Sequence, residues 1–177
     1  EDEEIKRNTK IYICECRSKN QYNYKNELIY CDGWRYVKRI REIGFEKVYF
    51  TPDIIVGNLI SRKKVNKIIF GANTVDIKND RVGHTAGHMT FIDSATKHKV
   101  PVYIMADKSK FGTFDENPED ERTINWFTGD RKLLSEFNKK GVIFFNPRSD
   151  AIPIESIFTF ITEYGSFPPS QIPPIFK

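Results

Sequence analysis

Five short apolar runs, each stopped by small or polar residues, constrain the fold of this chain more than any other feature. They are Lys10 to Cys16, Lys47 to Thr51, residues 66–71, Val100 to Ala106 and Val142 to Phe145. Each is rich in Ile, Val, Tyr or Phe and too short for an ordinary helix, so each reads as a strand, the first and fourth as buried ones. Helical patterns lie between them. Asp32-Gly33 opens a helix that carries Trp34, Val37, Ile40 and Ile43 on one face, and Gly44 ends it. Asp53 is placed to N-cap a helix through Ile54, Ile55, Leu59 and Ile60. Further helices are expected over 83–98, over Arg131 to Lys139, and over Ile152 to Glu163, the last with Ile154, Ile157, Phe158 and Ile161 on its apolar face. Strands alternating with helices specify an α/β fold, expected here as a Rossmann-like, open, mainly parallel sheet with helices on both faces. The expected organisation is a charged segment over 1–8, the α/β domain over 9–168, and a Pro-rich tail over 169–177 that lies against another surface, a partner's included. Residues 112–129, with Pro118, two glycines and many acids, read as a lid or an insertion.

Composition excludes several classes of function. With 39% hydrophobic and 29% charged residues in 177, the chain is an ordinary globular protein with enough length for a proper core. The net charge of +4 is scattered, and its densest run, Ser61 to Lys64, reads as a solvated helix end, so no direct nucleic-acid contact is expected. Three cysteines without framework spacing argue against a secreted disulfide scaffold. No apolar run approaches the ~20 residues of a membrane span, and no signal peptide is visible, so a cytoplasmic protein is expected. The Gly-x-Gly-x-x-Gly fingerprint is missing after the first strand; NAD is disfavoured and no cofactor is expected.

The functional candidates cluster where strands end. Gly71-Ala72 stops the third run, a polar loop over 72–82 follows, and the helix from 83 begins. That order places backbone N–H groups and small side chains at the mouth of a sheet, where open parallel sheets bind ligands and where an anion is favoured. Arg17 directly follows the first strand; it either grips a phosphate or carboxylate with its planar fork or is a surface arginine. Asp53 has a capping role ready. Lys108 and Lys110 follow the fourth strand and offer cations to the same mouth. Cys14 and Cys16 project from one strand face and read as core thiols. His84 and His88, four apart on the expected helix, have the spacing of a zinc pair, but no motif glutamate and no third ligand accompany them, so no metal is expected. His98 suits the last turn of that helix through the dipole alone.

Several of these stretches, in order from residue 10 to 168, resemble one family. Glu15-Cys16-Arg17-Ser18 is similar to its Glu-Thr/Ser-Arg-Pro, Thr51-Pro52-Asp53 to Thr-Asp-Ser, and Gly71-Ala72-Asn73 to Gly-Ala-Asp. Ala106 to Phe111 is similar to Ala-Glu-Thr-Tyr-Lys-Phe. Asn146-Pro147, Asp150 and Pro153 are similar to Asn-Pro-x-x-Asp-x-x-Pro, and Ile161 to Gly165 to Ile-Thr-Glu-x-Gly. The family is that of the alpha, beta and delta subunits of translation initiation factor 2B, with the related methylthioribose-1-phosphate and ribose-1,5-bisphosphate isomerases. The resemblance, to the family's carboxyl-terminal domain, implies a Rossmann-like fold, a helical domain upstream, and dimerisation through this domain. It also implies that enzymes of the family isomerise an aldose 1-phosphate to a ketose with a Cys and an Asp. The three cysteines here do not stand at the family's position, which lies upstream of the first strand. Asn73 stands at the Asp position and His84 at that of a lysine.

An amide cannot exchange a proton near neutral pH, although it still hydrogen-bonds a sugar hydroxyl. A histidine beside a phosphate takes a proton and so partly replaces the lysine. Lys110-Phe111 matches the initiation-factor and ribose-bisphosphate branch. The expectation is therefore a non-catalytic regulatory or assembly domain whose pocket, built from Arg17, Asp53, Gly71, Ala72, Asn73, His84 and Lys110, binds a phosphorylated small molecule, in a homo- or hetero-oligomer. The alternative is an active isomerase of the ribose-1,5-bisphosphate type, its Cys outside this chain and Asp76 replacing the missing acid. A third reading is a pure interaction module with an empty pocket.

Overall fold

The computed structural model describes residues 2–16, 32–114, 135–136, 139–141 and 149–176. Its elements are α1 (Asp2–Asn8), β1 (Lys10–Cys14), α2 (Asp32–Glu42), β2 (Lys47–Thr51), α3 (Val56–Ser61), β3 (Ile68–Gly71), β4 (Thr74–Asp76), β5 (Arg81–Thr85), α4 (His88–His98), β6 (Val102–Met105), β7 (Ser149–Pro153), β8 (Thr159–Thr162) and β9 (Gly165–Phe167). The fold is mixed α/β, its sheets partly parallel and partly antiparallel. Among the described residues, no helix is long and apolar enough to cross a membrane. The expected strand at 142–145, the loop at 18–26, the excursion beyond residue 114 and most of the helix at 131–139 lie outside the described residues.

The chain forms two compact units, Glu1–Val56 with Glu121–Phe145, and Gly57–Asp120 with Asn146–Lys177. In the first, β1 and β2 pair in parallel, with Tyr12 opposite Tyr49 and their rings stacked at 4.8 Å. Helix α2 enters over the end of β1. The Gly33 N–H donates to Glu15 O at 3.1 Å, and a Cβ on Gly33 would fall 1.9 Å from Cys14 O, so only glycine permits that approach. Gly44, at φ +101°, ends the helix as its position in the sequence requires. The charged residues 2–8, expected as a plain segment, form a helix with acids in its first turn and bases in its last, the order the helix dipole favours.

In the second unit β6 is central, parallel to both β3 and β8, and β9 closes the edge antiparallel to β8. A second sheet, all antiparallel, has the order β4-β5-β7. Val75, Val82, Ile92, Ala95, Ile104, Ile152 and Phe160 are all at most 1% exposed and form the core. Each such Ile or Phe contributes about 1.5–3 kcal/mol on burial.

Two expectations fail in this unit. The loop at 72–82 and the start of the helix at 83 are instead the hairpin β4–β5, and the helix begins only at His88. Val75 and Val82 face each other across the hairpin, both fully buried, and Asp80 takes a left-handed φ of 52° in the turn. A single apolar valine in each arm leaves too little alternation for the sequence to display two strands. The helix expected over Ile152 to Glu163 is β7, a 3-10 turn and β8. Its stretch is rich in Ile and Thr, whose branched Cβ suits strands, and ladder partners on β5 and β6 decide the matter. The Pro-rich tail lies against its own unit. Phe176 is buried, with its ring 4.4 Å from that of Phe111 and 5.6 Å from that of Tyr164.

Candidate functional site

Of the seven candidate residues, Arg17 lies outside the described residues and Asp53 belongs to the first unit. Asp53 does not cap a helix: Pro52 occupies the N-cap position of a 3-10 turn over Asp53–Ile55, without a side-chain cap. Its Oδ1 accepts the Cys16 N–H at 3.0 Å and so joins the end of β2 to the end of β1. Cys16 is exposed, in a left-handed conformation at φ 47° beyond the strand, so it is not the core thiol the sequence suggested. Cys14 is half-buried, and its thiol is pushed up to about 11 by burial and then by the charges of Asp53 and Glu15. That thiol stays protonated and unreactive near neutral pH.

Gly71, Ala72, Asn73, His84 and Lys110 all belong to the second unit, and its backbone brings them together. Asn73 follows β3 directly, and its N–H donates to Gly83 O at 3.0 Å, which places it beside the residue before His84. Lys110 follows β6 in a 3-10 turn over Lys108–Lys110. Phe111 then forms a parallel bridge with Val75, and the Gly112 N–H donates to Val75 O at 3.0 Å. Lys110 therefore stands one step before the bridge, level with Thr74. Ala72 is buried, whereas Gly71 and Asn73 are exposed. A Cβ on Gly71 would meet only Met105 O at 3.8 Å, an ordinary contact, so neither packing nor backbone requires a glycine there. The turn at Lys110 is internally braced: the Asp107 carboxylate accepts the Ser109 N–H and hydroxyl, which hold it below the usual carboxylate range.

His84 and His88 do not share a helix, yet their rings meet at 3.8 Å. His84 is on β5, and His88 is the first residue of α4. The peptide of Thr85 orients both. Its N–H donates to His84 Nδ1 at 2.8 Å, and its carbonyl lies 2.9 Å from His88 Nδ1, which must then be the donor. Phe70 packs on both rings, at 5.1 and 5.3 Å. Burial, reinforced by His88 beside it, drives the His84 pKa down to about 4. His84 is therefore a neutral ring at pH 7 in the unliganded protein and does not supply the cation expected of it. The N-terminus of α4 already holds an anion: Asp150 Oδ2 accepts the Met89 N–H at 2.8 Å. Among the described residues, no group of three or more His, Cys, Asp or Glu side chains is placed to hold a metal ion.

Asp76, the replacement acid of the isomerase alternative, is 2% exposed. Its carboxylate accepts the Asn79 side-chain amide at 2.8 Å, the Phe114 N–H at 3.0 Å and the Asn79 N–H at 3.2 Å, with Arg81 Nε at 3.7 Å. The hydrogen bond from the Asn79 side chain, then that from Phe114, lowers its pKa despite burial. A carboxylate so held is a structural anchor and a poor proton carrier. Nothing in the sequence signals this cluster, because Asn79, Arg81 and Phe114 meet only through the hairpin. The His84–His88 contact has a signal in their spacing, but it arises from a strand end meeting a helix start and not from a shared helix.

The sequence matches the Initiation factor 2 subunit family over residues 3–169. It is 27% identical over 169 residues to the methylthioribose-1-phosphate isomerase of Leptospira biflexa, covering 84% of this chain and 47% of that protein. It is also 27% identical over 139 residues to translation initiation factor eIF2B subunit beta of Schizosaccharomyces pombe, covering 76% of this chain and 34% of that one. Among solved structures, the fold is similar to that of the delta subunit of translation initiation factor eIF-2B from A. fulgidus, with a TM-score of 0.63, 26% identity, and coverage of 94% of this chain and 46% of that one. The chain spans about half the length of the curated relatives it matches.

Proposed function

The chain belongs to the initiation factor 2 subunit family, and from that premise we propose that it is a non-catalytic regulatory or assembly domain holding a phosphorylated sugar or a nucleotide at the carboxyl ends of β3 and β6. One observation carries the reading: the chain has Gly71-Ala72-Asn73, with an amide where the resembling Gly-Ala-Asp motif of the family's isomerases has its acid. An amide there binds a hydroxyl but moves no proton. The next acid along the chain, Asp76, is consumed by structure. Gly71, which the fold itself does not demand, leaves room for a ligand to approach the backbone. Lys110, exposed on a braced turn level with Thr74, is the cation for a phosphate.

The parallel pairing of β1 with β2, and of β6 with both β3 and β8, supports a Rossmann-like organisation. The proposal includes assembly into a homo- or hetero-oligomer through this domain, action in the cytoplasm, and no direct contact with nucleic acid.

A second reading, an aldose-1-phosphate isomerase, is favoured by relatives that bear the name methylthioribose-1-phosphate isomerase. It requires a cysteine outside the matched motifs and a proton-transfer group other than Asn73 or Asp76. Thermal shift and turnover with ribose 1,5-bisphosphate, methylthioribose 1-phosphate and nucleoside monophosphates separate the two. Stabilisation without turnover is expected; a ligand at one hundred times its Kd stabilises by about 2.7 kcal/mol. Ketose formation overturns the non-catalytic reading. No response to any of these phosphates leaves a pure interaction module.

A further inference from the structure

We propose that His84 determines specificity in this site by donating a hydrogen bond from Nε2–H to an uncharged oxygen of the ligand's sugar, and that it does not hold the phosphate. The inference rests on the sugar-phosphate reading above and divides its polar contacts between two groups. The Thr85 N–H donates to His84 Nδ1 at 2.8 Å, so the lone pair of that nitrogen is taken and the hydrogen of the neutral ring sits on Nε2. His84 Nε2 makes no hydrogen bond among the described residues and is not fully enclosed. The ring cannot easily turn away. His88 lies against it, its ring tilted by 43° with centroids 3.8 Å apart, Phe70 meets it edge-on at 5.1 Å, and the Thr85 carbonyl holds His88.

A second set of contacts argues against a phosphate at this end of the mouth. A dianion beside His84 would lie near the Asp150 carboxylate, which is opposite His84 in the β5–β7 ladder and already occupies the N-terminus of α4. Protonating His84 at Nδ1 to make a cation would also set that N–H against the Thr85 N–H. A single neutral donor on a fixed ring, with a carboxylate nearby, suits a hydroxyl or ring oxygen. Asn73, whose N–H is tied to Gly83 O, places its amide beside the same strand and offers a further contact for hydroxyls. Lys110, on the turn after β6, takes the phosphate. His88 and Thr85 are positioning groups.

The test is calorimetric titration of the full chain with ribose 5-phosphate and, separately, with inorganic phosphate, joined to nitrogen NMR of the histidine rings at pH 7. His84→Phe keeps the packing against Phe70 and His88 and removes the donor; the expected result is about tenfold weaker binding of ribose 5-phosphate with inorganic phosphate unaffected. His84→Gln restores a donor and most of the affinity. Lys110→Ala weakens both ligands. In the NMR of the ribose 5-phosphate complex, His84 is expected neutral with its hydrogen on Nε2. Equal weakening of both ligands by His84→Phe, or an imidazolium at His84 in the complex, overturns the inference and leaves the sugar-phosphate reading standing. Undiminished ribose 5-phosphate binding by His84→Phe has the same meaning. Should His84→Phe fail to fold, His84→Gln and the NMR of the unaltered chain still decide the point. Failure of the unaltered chain to bind ribose 5-phosphate removes both the reading and the inference.

Discussion

The two ends of β5 use their polar groups in opposite ways. At Arg81 the strand serves a closed cluster: Asp76 accepts three hydrogen bonds in the interior, Arg81 lies over the Phe114 ring at 5.5 Å, and Gly83 leaves the space that ring fills. At His84 and Thr85 the strand presents a partly buried end at which the His84 ring is kept neutral, with His88 against it. The first end turns charge into stability. The second gives up charge and keeps a directed donor. A buried carboxylate is tolerable only when fully hydrogen-bonded, whereas a ring that must recognise a ligand has to keep one polar atom uncommitted.

That contrast is open to direct attack. The largest effect is expected from Asp76→Asn, which keeps one acceptor oxygen but sets an amide NH2 against the donors that face the other, in the interior; chemical denaturation should show a loss of about 3 kcal/mol. Little change would mean that the carboxylate is not the anchor described. Gly83→Ala comes next. Its Cβ would fall 2.3 Å from the Phe114 ring, so about 2 kcal/mol of overpacking is expected, and a Phe114→Leu background should relieve part of it.

The third prediction concerns pH. His84 has a folded pKa of about 4 against an ordinary value of 6.5, so between those values the unfolded chain binds more protons. Stability from this ring is therefore complete above pH 6.5 and lost as pH falls towards 4, by up to about 2 kcal/mol after allowance for partial exposure. Asp76, whose pKa is lowered, acts in the same direction but only below the ordinary carboxylate value of 3.8. His84→Phe should flatten the upper window in a series of denaturation curves and spare the lower one; a slope unchanged between pH 6.5 and 4 would sink the assignment. The smallest effect on stability is expected from Lys110→Ala, under about 0.5 kcal/mol, because the side chain is exposed and adds nothing to the core.

Much of the fold was legible because a short run of branched and aromatic residues, stopped by small or polar ones, suits a strand and is too short for a helix. The runs at 10–14, 47–51, 68–71 and 102–105 all form strands, and Asp32 and Gly44 bracket α2 as expected. The hairpin and the β7–β8 segment were not legible. Their arms are three to five residues long, and the apolar spacing of Ile154, Ile157, Phe158 and Ile161 fits a helix as well as two strands. Within the candidate site, the sequence placed Gly71, Ala72, Asn73 and Lys110 at strand ends, because such positions follow from where the runs stop. It misjudged His84, which is on a strand because β4 and β7 pair with β5, and Asp53, whose carboxylate binds backbone from beyond β1.

The sequence by itself determined the α/β class, the family resemblance and the amide at position 73. Each is a property of residue type and local order, which no packing can alter. Tertiary structure alone decided that Asp76 is an anchor, that His84 meets His88 from a different element, and that His84 is neutral. Hydrogen bonds from Asn79 and Phe114 hold the Asp76 carboxylate, the Thr85 backbone orients the two rings, and burial with His88 alongside keeps His84 neutral; each depends on the hairpin closing on the rest of its unit.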